Sequence, residues 1–233
     1  MKYINDSSWD RLIKKKSYVF FPATIKDLNS ILKTKINKNT FVLKTGGCSY
    51  FDKSFGPGKY TINLKNFNKI NINKNKTTVD VGTGVILSEL VNFLQKSRLT
   101  LYTLPGGNNI SIGGAISANV IGKSSSKKHA CFGDSIISLN ILTKNGKIKK
   151  LKKNFQKYVG AFGTQGIILS AELRLMKIQS QNLSIYRKKI KSISDLEDSF
   201  KRKHLYKYSI INPFDDKNNF GIFIGAKFCL DKN

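Results

Sequence analysis

Apolar positions recur along this chain in short runs, and no segment keeps one period for long. Residues 17–34, "SYVFFPATIKDLNSILKT", pass from a β-like run through Pro22 into a helix. Thr24 with Asp27 three residues on reads as a capping box, and Leu28, Ile31 and Leu32 share one helical face. "TFVLKTGG" (40–47) is a short apolar strand running into a glycine pair, and "YTINLKNFNKININ" (60–73) alternates as one extended stretch. "KTTVDVGTG" (76–84) is a strand ending in glycines. In "VILSELVNFLQKSRLT" (85–100), Ile86, Leu90, Phe93 and Leu94 fall at helical spacing, so one face packs on a sheet. "SIISLNILTKNGKIKKL" (135–151) is two strands around Asn145-Gly146, a strong hairpin signal. "GIILSAELRLMKI" (166–178) is a long strand. From about Gln179 a polar linker leads into a strand, a helix near 193–203, and two further strands, "YKYSIINPF" and "NFGIFIGAKF". The pattern predicts an α+β protein with short elements.

Composition narrows the class. With 233 residues and 40% hydrophobic content, the chain is long enough for one large domain or two small ones. A formal charge of +27, from 41 basic against 14 acidic residues, first suggests a polyanion binder. The lysines are spread through nearly every segment, and the dense runs Lys14–Lys16 and Lys149–Lys153 lack interleaved aromatics for base stacking. A generally basic surface with no nucleic-acid partner is the expectation, although such a surface also suits anionic substrates and peripheral association with anionic membranes. Cys48, Cys131 and Cys229 are odd in number and widely spaced, so neither a disulfide framework nor a metal site follows. No apolar run reaches signal-peptide or membrane-span length, and a reducing cytoplasm is the default location.

The densest signal lies in "PGGNNISIGGAISANVIGK" (105–123), with five glycines in nineteen positions. Glycine costs roughly 0.5–1 kcal/mol of backbone entropy against alanine, so such a cluster implies close approach to the backbone. Further clusters stand at Gly46-Gly47, Gly82-Thr83-Gly84 and Gly160–Gly166. Successive amides in tight turns make anion-binding nests, which suits a phosphate. There is no GxxxxGK followed by Ser or Thr, and no GxGxxG leading into a helix with an acid about twenty residues on. Strand ends and bulges explain isolated glycine pairs equally well.

Taken in order, "VLKTGGCSYFDKSF", "TTVDVGTGVILSELVNFLQKSRLTLYTLPGGNNISIGGAISANVIGKSS", "FGDSIISLNILTKNGKIKKL" and "FGTQGIILSAELRL" resemble the flavin-binding (PCMH-type) domain of the vanillyl-alcohol oxidase and p-cresol methylhydroxylase family, in particular its decaprenylphosphoryl-ribose oxidase branch. The resemblance runs from residue 18 to 178. It implies a two-subdomain PCMH-type FAD-binding domain over 1–178, with subdomains of about 1–75 and 76–178. Residues 179–233 would begin an α+β cap domain that is incomplete. FAD would lie between the subdomains. By resemblance, Leu43, Lys44, Thr45, Gly46, Gly47, Cys48, Ser49, Tyr50, Phe51, Asp52 and Lys53 wrap the pyrophosphate. Pro105, Gly106, Ser111, Ile112, Gly113 and Gly114 pass along the other side of the dinucleotide. Ala118, Asn119, Val120, Ile121, Gly122 and Lys123 follow the isoalloxazine, and Gly166, Ile167 and Ile168 meet the adenine side.

Departures from the family pattern carry information. Cys48 stands where covalent members have histidine, which predicts non-covalent FAD. With no basic neighbour in sequence, Cys48 reads as a small buried residue and not a redox group. Lys44 replaces an arginine and cannot form a bidentate fork. Ile121 replaces a histidine found in carbohydrate-oxidising relatives. Lys123 is kept, and reads equally as an anion-binding group or as one more solvated lysine. Val120 stands where some oxidases keep glycine, which favours dehydrogenase behaviour. His129 and His204 have no partners at catalytic spacing. The resemblance thus implies an FAD-dependent oxidoreductase acting on a CH–OH group of a sugar-like or polyprenyl-phosphate-sugar substrate, with the catalytic residues unassigned. The chain is either a fragment, or a split protein with the rest of the cap on a second chain, or an inactive flavin-binding remnant; a nucleic-acid or anionic-membrane binder is the competing class.

Overall fold

The computed structural model describes residues 1–36, 40–50, 60–123, 127–143, 145–214 and 220–229. Three sheets follow one another along the chain. In the first, β1 (Lys2–Ser7), β2 (Lys14–Phe20), β3 (Phe41–Lys44) and β4 (Tyr60–Asn63) lie in the order β1-β2-β4-β3, antiparallel at β1/β2 and parallel elsewhere. Helix α1 (Ile25–Ser30) covers it. The Thr24 hydroxyl accepts from the Asp27 amide at 3.1 Å and the Asp27 carboxylate accepts from the Thr24 amide at 2.9 Å, the reciprocal cap expected from the sequence. Leu28 is fully buried on this sheet beside Phe20 and Ile62.

The second sheet is built on β10 (Ile167–Lys177), its longest strand. Around it lie β5 (Ile70–Ile72), β6 (Thr78–Gly82), β8 (Ile136–Leu142) and β9 (Ile148–Leu151) in the order β5-β6-β10-β8-β9, and β7 (Leu99–Leu101) pairs with the far end of β10. Helix α2 (Leu87–Gln95) buries Leu87, Leu90 and Leu94 on it. The predicted face is thereby rotated: Leu87 replaces Ile86, and Phe93 is exposed, because Ile86 serves as the cap residue and the helix begins one position later. The β8/β9 hairpin turns at Gly146 in the left-handed region, φ +73°.

Two further expectations change. The stretch 60–73 is not one strand: its ends, β4 and β5, belong to different sheets. The Lys65 amide donates to the Asn63 side chain, and the Phe67 amide donates to the Leu64 carbonyl, so side-chain and turn bonds break the alternation. Short helix α3 (Ile112–Ser117) also stands inside the glycine-rich segment, where no helix is expected.

A third sheet, β11 (Leu183–Ile190), β13 (Gly221–Phe228) and β12 (Tyr206–Ile211) in that order, carries helix α4 (Ile193–Lys201). It meets the second unit where the Lys207 amide donates to the Lys123 carbonyl at 2.8 Å and the Lys123 ammonium sits 4.3 Å over the Tyr208 ring.

The first two units share material. Ile167 and Leu169 of β10 and Leu142 of β8 pack with Phe20, Leu28 and Ile62, whereas Ile168, Ala171 and Leu173 of β10 pack under α2 and α3. On the same strand Glu172 clamps its neighbours. It accepts from Ser138 on β8 at 2.9 Å and from Thr78 on β6 at 3.3 Å, and Lys150 on β9 lies 3.1 Å away. Burial pulls the Glu172 carboxyl up, but those hydrogen bonds outweigh it and hold the pKa below its ordinary value. Glu172→Gln is therefore expected to lower stability at neutral pH by about 1–2 kcal/mol. Because the folded-state pKa is depressed, that stabilisation is complete above the unfolded carboxylate pKa and is lost as pH falls through the lowered folded value. Melts of both proteins from pH 7 down to pH 3 check it: the two curves should converge at the acid end.

Candidate functional site

Three glycine-bearing segments meet between the first and second sheets: the turn after β3 (residues 45–50), α3 with its approach, and the loop from Gly160 to Gly166. One hydroxyl ties the first two. Ser111 caps α3 by accepting from the Gly114 amide at 3.2 Å, and it also accepts from the Gly46 amide at 3.1 Å and hydrogen-bonds the Thr45 hydroxyl. The third segment docks on the end of α3, where the Gly160 and Phe162 amides donate to the Ile116 and Ser117 carbonyls, each at 3.0 Å.

Close approach is what the glycines permit here. A β-carbon on Gly113 would lie 2.9 Å from Cβ of Thr83 and 3.1 Å from its carbonyl oxygen, and one on Gly46 would lie 3.0 Å from the Ser111 nitrogen. At these two positions the group that approaches the backbone is the protein itself.

A cleft of about 430 Å³ opens between the segments. Of the predicted residues, Leu43, Lys44, Thr45, Gly47, Cys48, Ser49 and Tyr50 line it, as do Ser111, Gly113, Gly114, Ala118, Val120, Gly166 and Ile168. Gly46 stands directly behind, through its bond to Ser111. Phe51, Asp52 and Lys53 lie outside the described residues. The rest are turned elsewhere. Ile112 and Ile167 are buried in the two cores. Asn119 accepts from the Gly133 amide at 2.9 Å, and Ile121 is 76% exposed. Pro105 pairs with Gly122, which packs on Thr103, while Lys123 lies over Tyr208 with Gly106 beside it.

Residues not assigned to the FAD site from the sequence complete the lining, among them Thr83, Ile110, Ser117, Phe162 and Gly163. Thr83 matters most. Its residue is 1% exposed, and its buried hydroxyl has no hydrogen-bond partner among the described residues. An unmet buried hydroxyl costs about 1–3 kcal/mol, so its retention on the wall of a cleft fits a ligand that satisfies it. The amides of Gly47, Cys48 and Ser49 likewise have no protein acceptor among the described residues, which suits an anionic group at the turn.

The charge of this wall is largely neutralised. Lys44 forms an ion pair with Asp6 of β1, so the cation in the arginine position is held by a strand that the sequence pattern does not reveal. Cys48 is half-buried and donates through Sγ to the Asn109 carbonyl at 3.3 Å. Burial raises its pKa against an opposing pull from Lys44, which keeps it a thiol at neutral pH. Neither histidine lines the cleft. His129 stacks on Tyr102 at 4.3 Å and His204 on Tyr186 at 5.5 Å; burial, with nearby cations, lowers both pKa values.

A family model described as an FAD binding domain matches residues 17–152. The chain belongs to this FAD-binding family. Its sequence is 32% identical over 136 residues to decaprenylphosphoryl-beta-D-ribose oxidase of Mycolicibacterium smegmatis, covering 55% of this chain and 29% of that protein. It is 24% identical over 194 residues to L-gulonolactone oxidase of Bos taurus, covering 80% and 43%. The chain thus spans less than half the length of these relatives. Among solved structures, a cholesterol oxidase variant from Brevibacterium sterolicum superposes with a TM-score of 0.78 at 17% identity, over 97% of this chain and 47% of that one. This likeness shows the fold.

Two substitutions probe the wall. Gly113→Ala should cost about 1–3 kcal/mol through the clash with Thr83, whereas Gly106→Ala, whose β-carbon would find its nearest neighbour at 3.8 Å, should leave the melting temperature within a degree or so. Thr83→Val should weaken FAD binding about tenfold while Thr83→Ser retains it, as read by titration of flavin fluorescence.

Proposed function

We propose that this chain is the flavin-binding part of an oxidoreductase that removes hydride from a CH–OH carbon of a sugar-like or polyprenyl-phosphate-sugar substrate. The observation that carries the reading is the cleft between three glycine-bearing segments, where the Gly47, Cys48 and Ser49 amides and the Thr83 hydroxyl lack a protein partner among the described residues, in a chain of the FAD-binding family. The similar oxidases support the reaction class. In this reading residues 1–178 form the flavin domain, dividing near residue 75, and residues 179–233 begin a substrate domain.

Bound FAD supplies the hydride acceptor. The chain's own residues bind and orient. Gly47, Cys48 and Ser49 offer amides to the pyrophosphate, and Thr83 offers its hydroxyl from the α3 side. Ala118 and Val120 present small apolar surface to a planar ring. Among the described lining residues there is no carboxylate and no imidazole, and the base that takes the substrate's hydroxyl proton is left unassigned. A second chain completing the substrate domain fits this arrangement, because one face of the third sheet leaves Ile210 and Ile222 exposed opposite each other, with Ile185 exposed further along the same face. The three cysteines are free, which supports a reducing, cytoplasmic setting.

Attachment should be non-covalent, since the Cys48 sulfur is turned to backbone carbonyls and kept protonated. The purified protein should therefore show flavin absorption that survives gel filtration, and acid precipitation should release all of it into the supernatant. A colourless protein that cannot be reconstituted with FAD overturns the reading. Flavin remaining in the pellet of wild type but not of Cys48→Ser overturns the non-covalent part alone.

A further inference from the structure

The tip of the β1/β2 pair has a composition that the cleft does not use. Trp9 is 52% exposed and Leu12 69% exposed, and Tyr3, 61% exposed, lies further along the same pair. The strand register sets Ser7 opposite Lys14 and Asn5 opposite Lys16, so the alternation puts Lys14, Lys16, Tyr3 and Tyr18 on one face, with the two tyrosine rings 4.8 Å apart. The acids of this hairpin are already engaged: Asp6 pairs with Lys44, and Asp10 accepts from the Ser8 hydroxyl and the Leu12 amide. Arg11 and Lys14 are exposed at the apolar tip, and Lys16 is exposed next along the same face.

The backbone of the tip is closed on itself. The Ser8 amide donates to the Ile13 carbonyl at 2.9 Å and the Arg11 amide to the Ser8 carbonyl at 3.0 Å, while the Ile13 amide donates to the Ser8 hydroxyl at 3.1 Å. The Trp9 amide is taken by the Ser49 carbonyl at 3.1 Å, which fastens the tip to the turn at the cleft wall. The amides of Ser8, Trp9, Arg11, Leu12 and Ile13 thus keep protein acceptors when the tip enters the headgroup layer, which lowers the cost of taking them from water. Exposed tryptophan and leucine ringed by cations is the chemistry of the headgroup layer of an anionic bilayer, where indole is favoured and each nearby cation adds about 1 kcal/mol. Nucleic acid would use the cations and the rings but would gain nothing from Leu12.

We infer that the Ser8–Ile13 tip is a peripheral membrane anchor that seats Trp9 and Leu12 in the headgroup layer of an anionic lipid surface, with the cleft mouth held beside that surface. This stands apart from the flavin reading, since it needs no bound cofactor. Trp9 is the only tryptophan in the chain, so its emission reports the tip directly. Flotation of the full chain with vesicles of phosphatidylcholine containing one third phosphatidylglycerol should carry protein upward, with a blue shift of Trp9 emission and quenching by brominated acyl chains. Pure phosphatidylcholine should bind at least about tenfold less. Leu12→Asp should abolish the quenching, and Lys14→Glu with Lys16→Glu should cut binding about tenfold, whereas Lys152→Glu with Lys153→Glu, an equal change in net charge, should not. Circular dichroism melts confirm that the variants are folded. Binding without Trp9 quenching, equal losses from both lysine pairs, or a Trp9 shift produced by single-stranded DNA and not by vesicles overturns the anchor.

Discussion

Everything about the cleft depends on the Ser111 hydroxyl. It accepts amide hydrogens from Gly46 in the first unit and Gly114 in the second, and it meets the Thr45 hydroxyl. No regular ladder joins those segments, so this side chain sets how far the turn after β3 stands from α3. It also allows α3 to exist. A six-residue helix with two glycines has poor intrinsic stability, and it persists because its first turn is capped and because Ile112, Ala115 and Ile116 are completely buried. Gly113 then lets the helix sit on Thr83 at a distance that excludes a β-carbon. Cap, helix and contact make one unit, with the Thr83 hydroxyl left without a protein partner among the described residues.

The same economy explains the muted charge of the wall. A net charge of +27 suggests a strongly positive anion site, yet the nearest lysine is tied to Asp6. What faces the cleft is backbone amide, hydroxyl and apolar side chains, among them Leu43, Ile110, Phe162 and Ile168. Amides bind an anion without the desolvation cost of a bare ammonium, and they hold their direction. The remaining positive charge is peripheral, spread over exposed surfaces such as the β1/β2 pair.

Local signals in the sequence were faithful where local physics decides the outcome. The Thr24–Asp27 cap and the Asn145-Gly146 turn formed as read, because each is complete within a few residues. Ordered glycine motifs located the cleft, since several signatures in sequence carry more information than any one. Tertiary contacts hid the rest. Strand β1 has no alternation to read, because one side of it is spent on Asp6 and solvent. The break at Leu64–Phe67 needs the Lys44 carbonyl, twenty residues away, to accept from the Leu64 amide. Thr83 looks like any residue between two glycines, and only burial without a partner distinguishes it. Asn119, Ile121 and Lys123 sit in the right motif but turn to Gly133, solvent and Tyr208, choices made by neighbours far away in the chain.

Strand β10 carries a consequence for the order of folding. Ile167 and Leu169 complete a core whose other members, apart from Leu142, lie before residue 70. The N-terminal unit therefore cannot close until a strand about a hundred residues downstream has arrived. Until then Phe20, Leu28 and Ile62 face water in the growing chain. Such long-range closure slows folding and exposes apolar surface to aggregation while translation continues. The apolar surface of the N-terminal unit is covered only when β10 inserts, so the first two units become stable together.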